Sequence, residues 1–177
     1  MADATIYQID QNNKPDIIIS ETMQNALAKE QQVSIFLNLM NQVAFKATFI
    51  PEKIEISIGL KKAEISSEYT QNKDYHFMGK LFEVSSEAMS QMNVDPNKPD
   101  EEITFEKNQI TLSEKEIEGF SEILFLTEIQ VYKDEKIGIT QSGLTTPITK
   151  DIIPTNHKGG ITINTQYKIS TQPELEF

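Results

Sequence analysis

The sequence predicts a β-rich α+β fold, a single sandwich- or barrel-like domain of about eight mainly antiparallel strands with one principal helix near residues 21–43. Short apolar stretches alternating at period two recur along most of the chain, the pattern of strands with one wet face. A single stretch after Ser20 switches to helical spacing. With 177 residues and no internal repeat or domain-separating linker, one cooperative core is expected, burying about two thirds of the surface of the unfolded chain. The domain is placed at residues 1–171, with 172–177 as a tail.

Taken in order, Ile6 and Ile9 open an apolar segment that the turn-like Asp10–Pro15 closes, and the β-branched Ile17-Ile18-Ile19 suits a strand, so an N-terminal hairpin or β-arch is expected. Ser20 can cap a helix, and Met23, Leu27, Val33, Phe36, Leu37, Met40 and Ala44 follow at helical spacing. The same region also alternates at period two from Val33 to Phe49, so a helix stopping near Gln31 competes. Helix-favouring residues at 23–32 and the absence of a breaker before Pro51 favour the long helix.

Residues 45–50 and 54–60 flank Pro51-Glu52-Lys53 as an expected hairpin, with Ile54, Ile56, Ile58 and Leu60 on its dry face. Tyr75–Val84 is apolar on both faces, as an internal strand would be. One or two helical turns are expected within 85–92, then a polar loop, 93–102. Strands resume at 103–105 and 110–112, and Ser113 to Glu116 matches a capping box with Gly119 placed to end the turn. Ile123–Tyr132 reads as the strongest internal strand, Lys133–Lys136 as its turn, and Ile161–Ile169 as a final alternating strand.

The composition excludes more chemistry than it offers. There are sixteen lysines and no arginine, cysteine or tryptophan, so bidentate capture of phosphate, thiolate chemistry, disulfides and cysteine metal sites are absent. A net charge of −11 sets the surface against nucleic acid, and no nucleic-acid partner is expected. Isoleucine outnumbers valine 24 to 5, and asparagine and glutamine are plentiful, the signature of an AT-rich bacterial or phage coding genome. No apolar run approaches a membrane span and the first residues do not resemble a signal peptide, so cytoplasmic synthesis is expected, followed by incorporation into a particle or signal-independent export.

His76 and His157 are the only histidines, the residue type best suited to general-base work, the first inside a predicted strand and the second beside Lys158 in a polar turn ending at Gly159-Gly160. Structural roles fit both better than catalysis. Asp95, Asn97, Asp100, Glu101 and Glu102 supply oxygen ligands of calcium type, but two prolines intrude and the glycine of a sharp turn is missing. Glu114, Glu116, Glu118 and Glu122 read as a solvated acidic face. No cofactor, metal or small-molecule substrate is expected.

The second half of the helix, apolar on nearly all sides, and the final strand fit either a monomeric core or an interface. The expected function is a non-enzymatic structural subunit of a bacterial or phage-like self-assembling particle: an injection-system tube, tail, capsid-accessory or lattice protein. Val33, Phe36, Leu37, Met40, Ile161, Ile163, Tyr167, Leu175 and Phe177 are the candidate self-association residues, partners being further copies or other assembly subunits. The alternative is a protein-binding module, such as a secretion chaperone, immunity protein or inhibitor, using an acidic face.

Overall fold

The computed structural model describes residues 3–43, 46–62, 75–90, 105–154 and 157–177. The central sheet is antiparallel: β3 (Lys53–Lys62) lies between β4 (Tyr75–Ser85) and β6 (Phe120–Tyr132). The far edge of β6 is shared end to end by β7 (Glu135–Ile137) and β8 (Ile148–Ile152). Ile54, Ile56, Ile58 and Leu60 are fully buried as the alternation requires, but the face expected to be wet is not: Ser57 and Gly59 are buried too, Gly59 lying against Leu126 of β6. A second antiparallel sheet places β9 (Ile161–Lys168) between β5 (Asn108–Leu112) and β10 (Glu174–Glu176). A third, two-stranded sheet pairs β1 (Ile17–Ile19) in parallel with β2 (Thr48–Ile50).

The principal helix α1 (Gln32–Val43) buries Val33, Phe36, Leu37, Met40 and Val43 in the core, and Phe36 meets Phe49 of β2 at 4.7 Å. The first two sheets are joined by aromatic rings. Phe82 of β4 stacks on Tyr167 of β9 with centroids 4.4 Å apart, and Phe105 stands edge-on to both. One continuous apolar cluster, running in sequence from Ile9 to Leu175, draws on all three sheets and α1. The result is a small β-rich α+β domain with one main helix, the class the alternation predicts.

The helix begins later than its propensities imply. Ala26, Leu27 and Lys29 all sit at positive φ, and a short 3-10 turn at Asn25–Leu27 replaces the expected first turns. Each left-handed non-glycine residue costs about 1–2 kcal/mol, and long-range bonds hold the segment there. The Ala26 N–H donates to Thr127 Oγ1 (3.3 Å), Tyr167 Oη to the Leu27 carbonyl (2.8 Å) and the Lys29 N–H to the Pro173 carbonyl (2.7 Å). From Gln32 on, residues 33–43 are helical, which settles the competition with a period-two strand.

Two expected hairpins are replaced by a longer-range pairing. β1 does not turn back on Ile6 to Ile9, nor β2 on β3; β1 and β2 pair with each other across α1. Among the described residues β4 takes strand partners from β3 alone, so there it is an outer rather than the expected internal strand. The tail set apart at 172–177 forms β10, its Leu175 buried and its Lys168–Glu176 ion pair at 2.6 Å, so its own sheet holds it.

Local chemistry behaves as read. Glu116 accepts from both the N–H and the hydroxyl of Ser113 at the start of the short helix α3 (Glu114–Ile117), and Gly119 adopts φ +80° just beyond it. A further short helix, α2 (Ser86–Ser90), follows β4.

On β9, Thr165 points inward and is 3% exposed, and its Oγ1 is the one buried side-chain polar atom without a partner among the described residues. Thr165→Val, which keeps the shape and removes the orphaned hydroxyl, should therefore raise stability by about 1 kcal/mol. Denaturant unfolding of the two proteins checks this, and a less stable valine variant would refute it.

Candidate self-association surface

Among the described residues β1 presents an open edge. The Thr48 N–H donates to the Asp16 carbonyl (2.8 Å) and the Ser20 N–H to the Ile50 carbonyl (2.9 Å), which sets the phase of the parallel ladder. Residues 16, 18 and 20 face β2, so the N–H and C=O groups of Ile17 and Ile19 point away from it. The side chains of these two residues are also uncovered, at 57% and 73% exposure, while Ile18 between them is buried. Backbone hydrogen-bonding capacity and apolar surface thus coincide on the same two residues.

Several other outward strands are guarded, although β2 and the end of β4 at residues 75–79 carry no charged guard. β7 carries Glu135 and Lys136, β8 carries Lys150 and Asp151, and β10 carries Glu174 and Glu176. β5 is polar, and Asn108 Nδ2 spans to the Lys80 and Leu81 carbonyls of β4. The remaining length of β4 includes Lys80 and Glu83, paired at 2.8 Å. Burial pushes the Glu83 carboxyl up, but its bonds to Lys80 and Ser85 outweigh that and hold it below the ordinary value. Charge on an edge opposes pairing with another strand, and β1, like β2 and β5, has none, but β1 alone of these three carries two largely exposed isoleucines.

The frame behind β1 is polar and well satisfied. Gln32, fully buried at the first position of α1, accepts through Oε1 from Ser20 Oγ (2.9 Å), Thr22 Oγ1 (2.8 Å) and the Thr22 N–H (3.2 Å). Gln42, near the far end of the helix, accepts from the Ile9 N–H and donates to the Tyr7 carbonyl, both at 2.7 Å. Lys14 Nζ reaches the Gln42 carbonyl at 3.2 Å. Both ends of the segment carrying β1 are thereby fixed to α1.

The residues that the sequence marks for self-association fall mostly elsewhere. Val33, Phe36, Leu37, Met40, Ile163, Tyr167 and Leu175 are buried in the chain's own core, and Ile161 is half-buried, so none offers a free surface. Phe177 is exposed on one side, its ring edge-on to Phe125 of its own chain at 5.8 Å. Ile17 and Ile19 are not among those candidates. Their signal was the uncharged triple-isoleucine run, but its edge position follows only from the long-range pairing with β2.

Catalytic and metal candidates are not brought together. His76 is exposed with its ring against Phe120 at 4.8 Å, and His157 lies in an exposed turn, its N–H bonded to the Pro154 carbonyl. Glu116 is held below the ordinary carboxyl range by the Ser113 hydroxyl and N–H, while Glu122 of β6 is bound by Lys61 of β3 and Thr149 of β8. No group of three histidine, aspartate or glutamate side chains among the described residues is arranged to hold a metal ion. The acidic stretch 95–102 lies outside the described residues. No helix among the described residues is long and apolar enough to cross a membrane.

No family model and no curated protein matches the sequence. Among solved structures, a crystal structure of PRMT6 is similar at a TM-score of 0.52 and 12% identity, over 91% of this chain and 66% of that one. A PRMT6-SAH crystal structure aligns at a TM-score of 0.45 and 10% identity, over 90% and 66%. The chain spans just under two thirds of the PRMT6 chains it matches. At such identity the first of these likenesses concerns the fold alone, and the β-rich α+β domain is the class to which the chain belongs.

Proposed function

We propose that the protein is a non-enzymatic structural subunit that associates with copies of itself, a building block of a bacterial or phage-like self-assembling particle such as an injection-system tube, tail, capsid-accessory component or lattice. The observation that supports this reading is the uncharged open edge of β1, with Ile17 and Ile19 exposed on a strand whose outward backbone groups have no partner among the described residues. An edge of this kind is a template for a further strand. Ile6, Tyr7, Ile152 and Phe77 add exposed apolar surface.

A charge of −11 opposes association at neutral pH and low salt, and that opposition fades as carboxylates protonate or salt screens them. Sedimentation velocity from micromolar to millimolar concentration should show a species growing with concentration, and growing further as pH falls from 7 toward 5. Negative-stain microscopy of the concentrated sample should then show regular particles. A monomer at every concentration and pH would overturn the proposal.

A further inference from the structure

We infer that the β1 edge pairs with the β1 edge of a second copy, antiparallel and about a two-fold axis at Ile18, so that Ile17 of each chain lies opposite Ile19 of the other. The inference rests on the self-association reading and gives it a contact. Only residues 17 and 19 of the strand point their N–H and C=O groups outward, since Asp16 and Ser20 are spent on β2. An antiparallel neighbour satisfies outward groups in directly opposed pairs. A two-fold axis at Ile18 is the register that opposes both outward residues at once, and it forms four backbone hydrogen bonds.

The side chains agree with the backbone. Ile17 and Ile19 share one face of the strand and are both largely exposed, so the pairing sets four isoleucines side by side on the joined sheet. The charges agree as well. In this register Asp16 lies opposite Ser20 of the second copy, Glu21 opposite Pro15 and Lys14 opposite Thr22, so no carboxylate faces a carboxylate. For a chain with 27 acidic residues against 16 lysines, a contact between copies free of acidic opposition is a selective feature. A three-residue strand pairing is much smaller than the ~800 Å² per partner typical of stable interfaces. The contact is therefore weak and reversible alone, as a repeating lattice contact can be when others add to it.

The absence of cysteine makes the register directly measurable. Opposed residues in a hydrogen-bonded pair have Cα atoms about 5.5 Å apart, within disulfide reach, whereas identical positions sit on a diagonal of about 7–8 Å, at or beyond its limit. Separately purified Ile17→Cys and Ile19→Cys proteins, mixed and mildly oxidised, should give a covalent heterodimer, while each alone stays uncrosslinked. Ile19→Pro removes an outward N–H and leaves the bonds to β2 in place, and it should weaken association at least tenfold with unchanged circular dichroism. Ile19→Lys gives a second variant should the proline unfold the protein.

Crosslinking of either cysteine variant with itself as readily as in the mixture would replace this register with another. No crosslink in the mixture, with Ile19→Pro and Ile19→Lys associating as the parent does, would overturn the β1 contact while leaving self-association standing. A parent chain monomeric at all concentrations would overturn both.

Discussion

Tyr167→Ala should cost about 4 kcal/mol of stability, the largest single loss expected in this protein. Tyr167 is 1% exposed, stacks on Phe82, receives the edge of Phe105 and binds the Leu27 carbonyl through its hydroxyl. Truncation opens a cavity where β4 and β9 meet and removes the bond that holds Leu27 in its left-handed conformation. Tyr167→Phe keeps the stack and deletes only the bond, so it should cost about 1–2 kcal/mol. Equilibrium denaturation separates the two contributions, and a phenylalanine variant as unstable as the alanine one would show that the ring stack contributes little.

A pH dependence follows from the same burial, which pushes the Tyr167 phenol well above its ordinary 10.0. The folded state holds its proton where the unfolded chain would release it. Stability from this group is complete below pH 10 and is lost as pH rises beyond it, and the Tyr167→Phe variant should lack that share of the alkaline decline.

Gln32→Ala should cost about 3 kcal/mol and, unlike the first substitution, should act locally before it acts globally. The carboxamide satisfies two hydroxyls and a backbone N–H from Ser20 and Thr22, and its loss strands these donors at the base of α1. Gln32→Met should behave alike, because filling the space leaves the same donors unpaired. Native-state hydrogen exchange should show the Ser20 and Thr48 amides, which tie β1 to β2, opening well below the global unfolding energy. Amides protected as in the parent would mean that β1 is secured by Ile18 and not by this network.

What the sequence revealed and what it concealed divide along contact distance. The Ser113–Glu116 capping box, the turn at Gly119 and the dry face Ile54–Leu60 are written in residues that touch their near neighbours, and all are present. The start of α1 is different. Residues 23–32 have good helical propensity, yet Leu27 and Lys29 answer to Tyr167 and Pro173, and no local pattern announces bonds spanning most of the chain. The same holds for β1, whose three isoleucines suit a strand in any sheet; that it is an edge is decided by β2 lying on the far side of α1. The apolar α1 residues were legible as buried, but the sequence left open whether the burial was by this chain or another.

The clasp around Leu27 also fixes an order of events during synthesis. The Tyr167 hydroxyl lies 140 residues downstream of the carbonyl it binds, and at roughly 5–20 residues per second a ribosome needs about 7–30 s to reach it. Through that interval the nascent amino-terminal segment has its isoleucine strand but not the bonds that hold residues 26–29 in place. It must wait, without the Tyr167 and Pro173 contacts, in the company of other chains on the same message. Under the proposed β1 pairing, the pace of translation would bear on whether copies meet as folded subunits or as entangled ones.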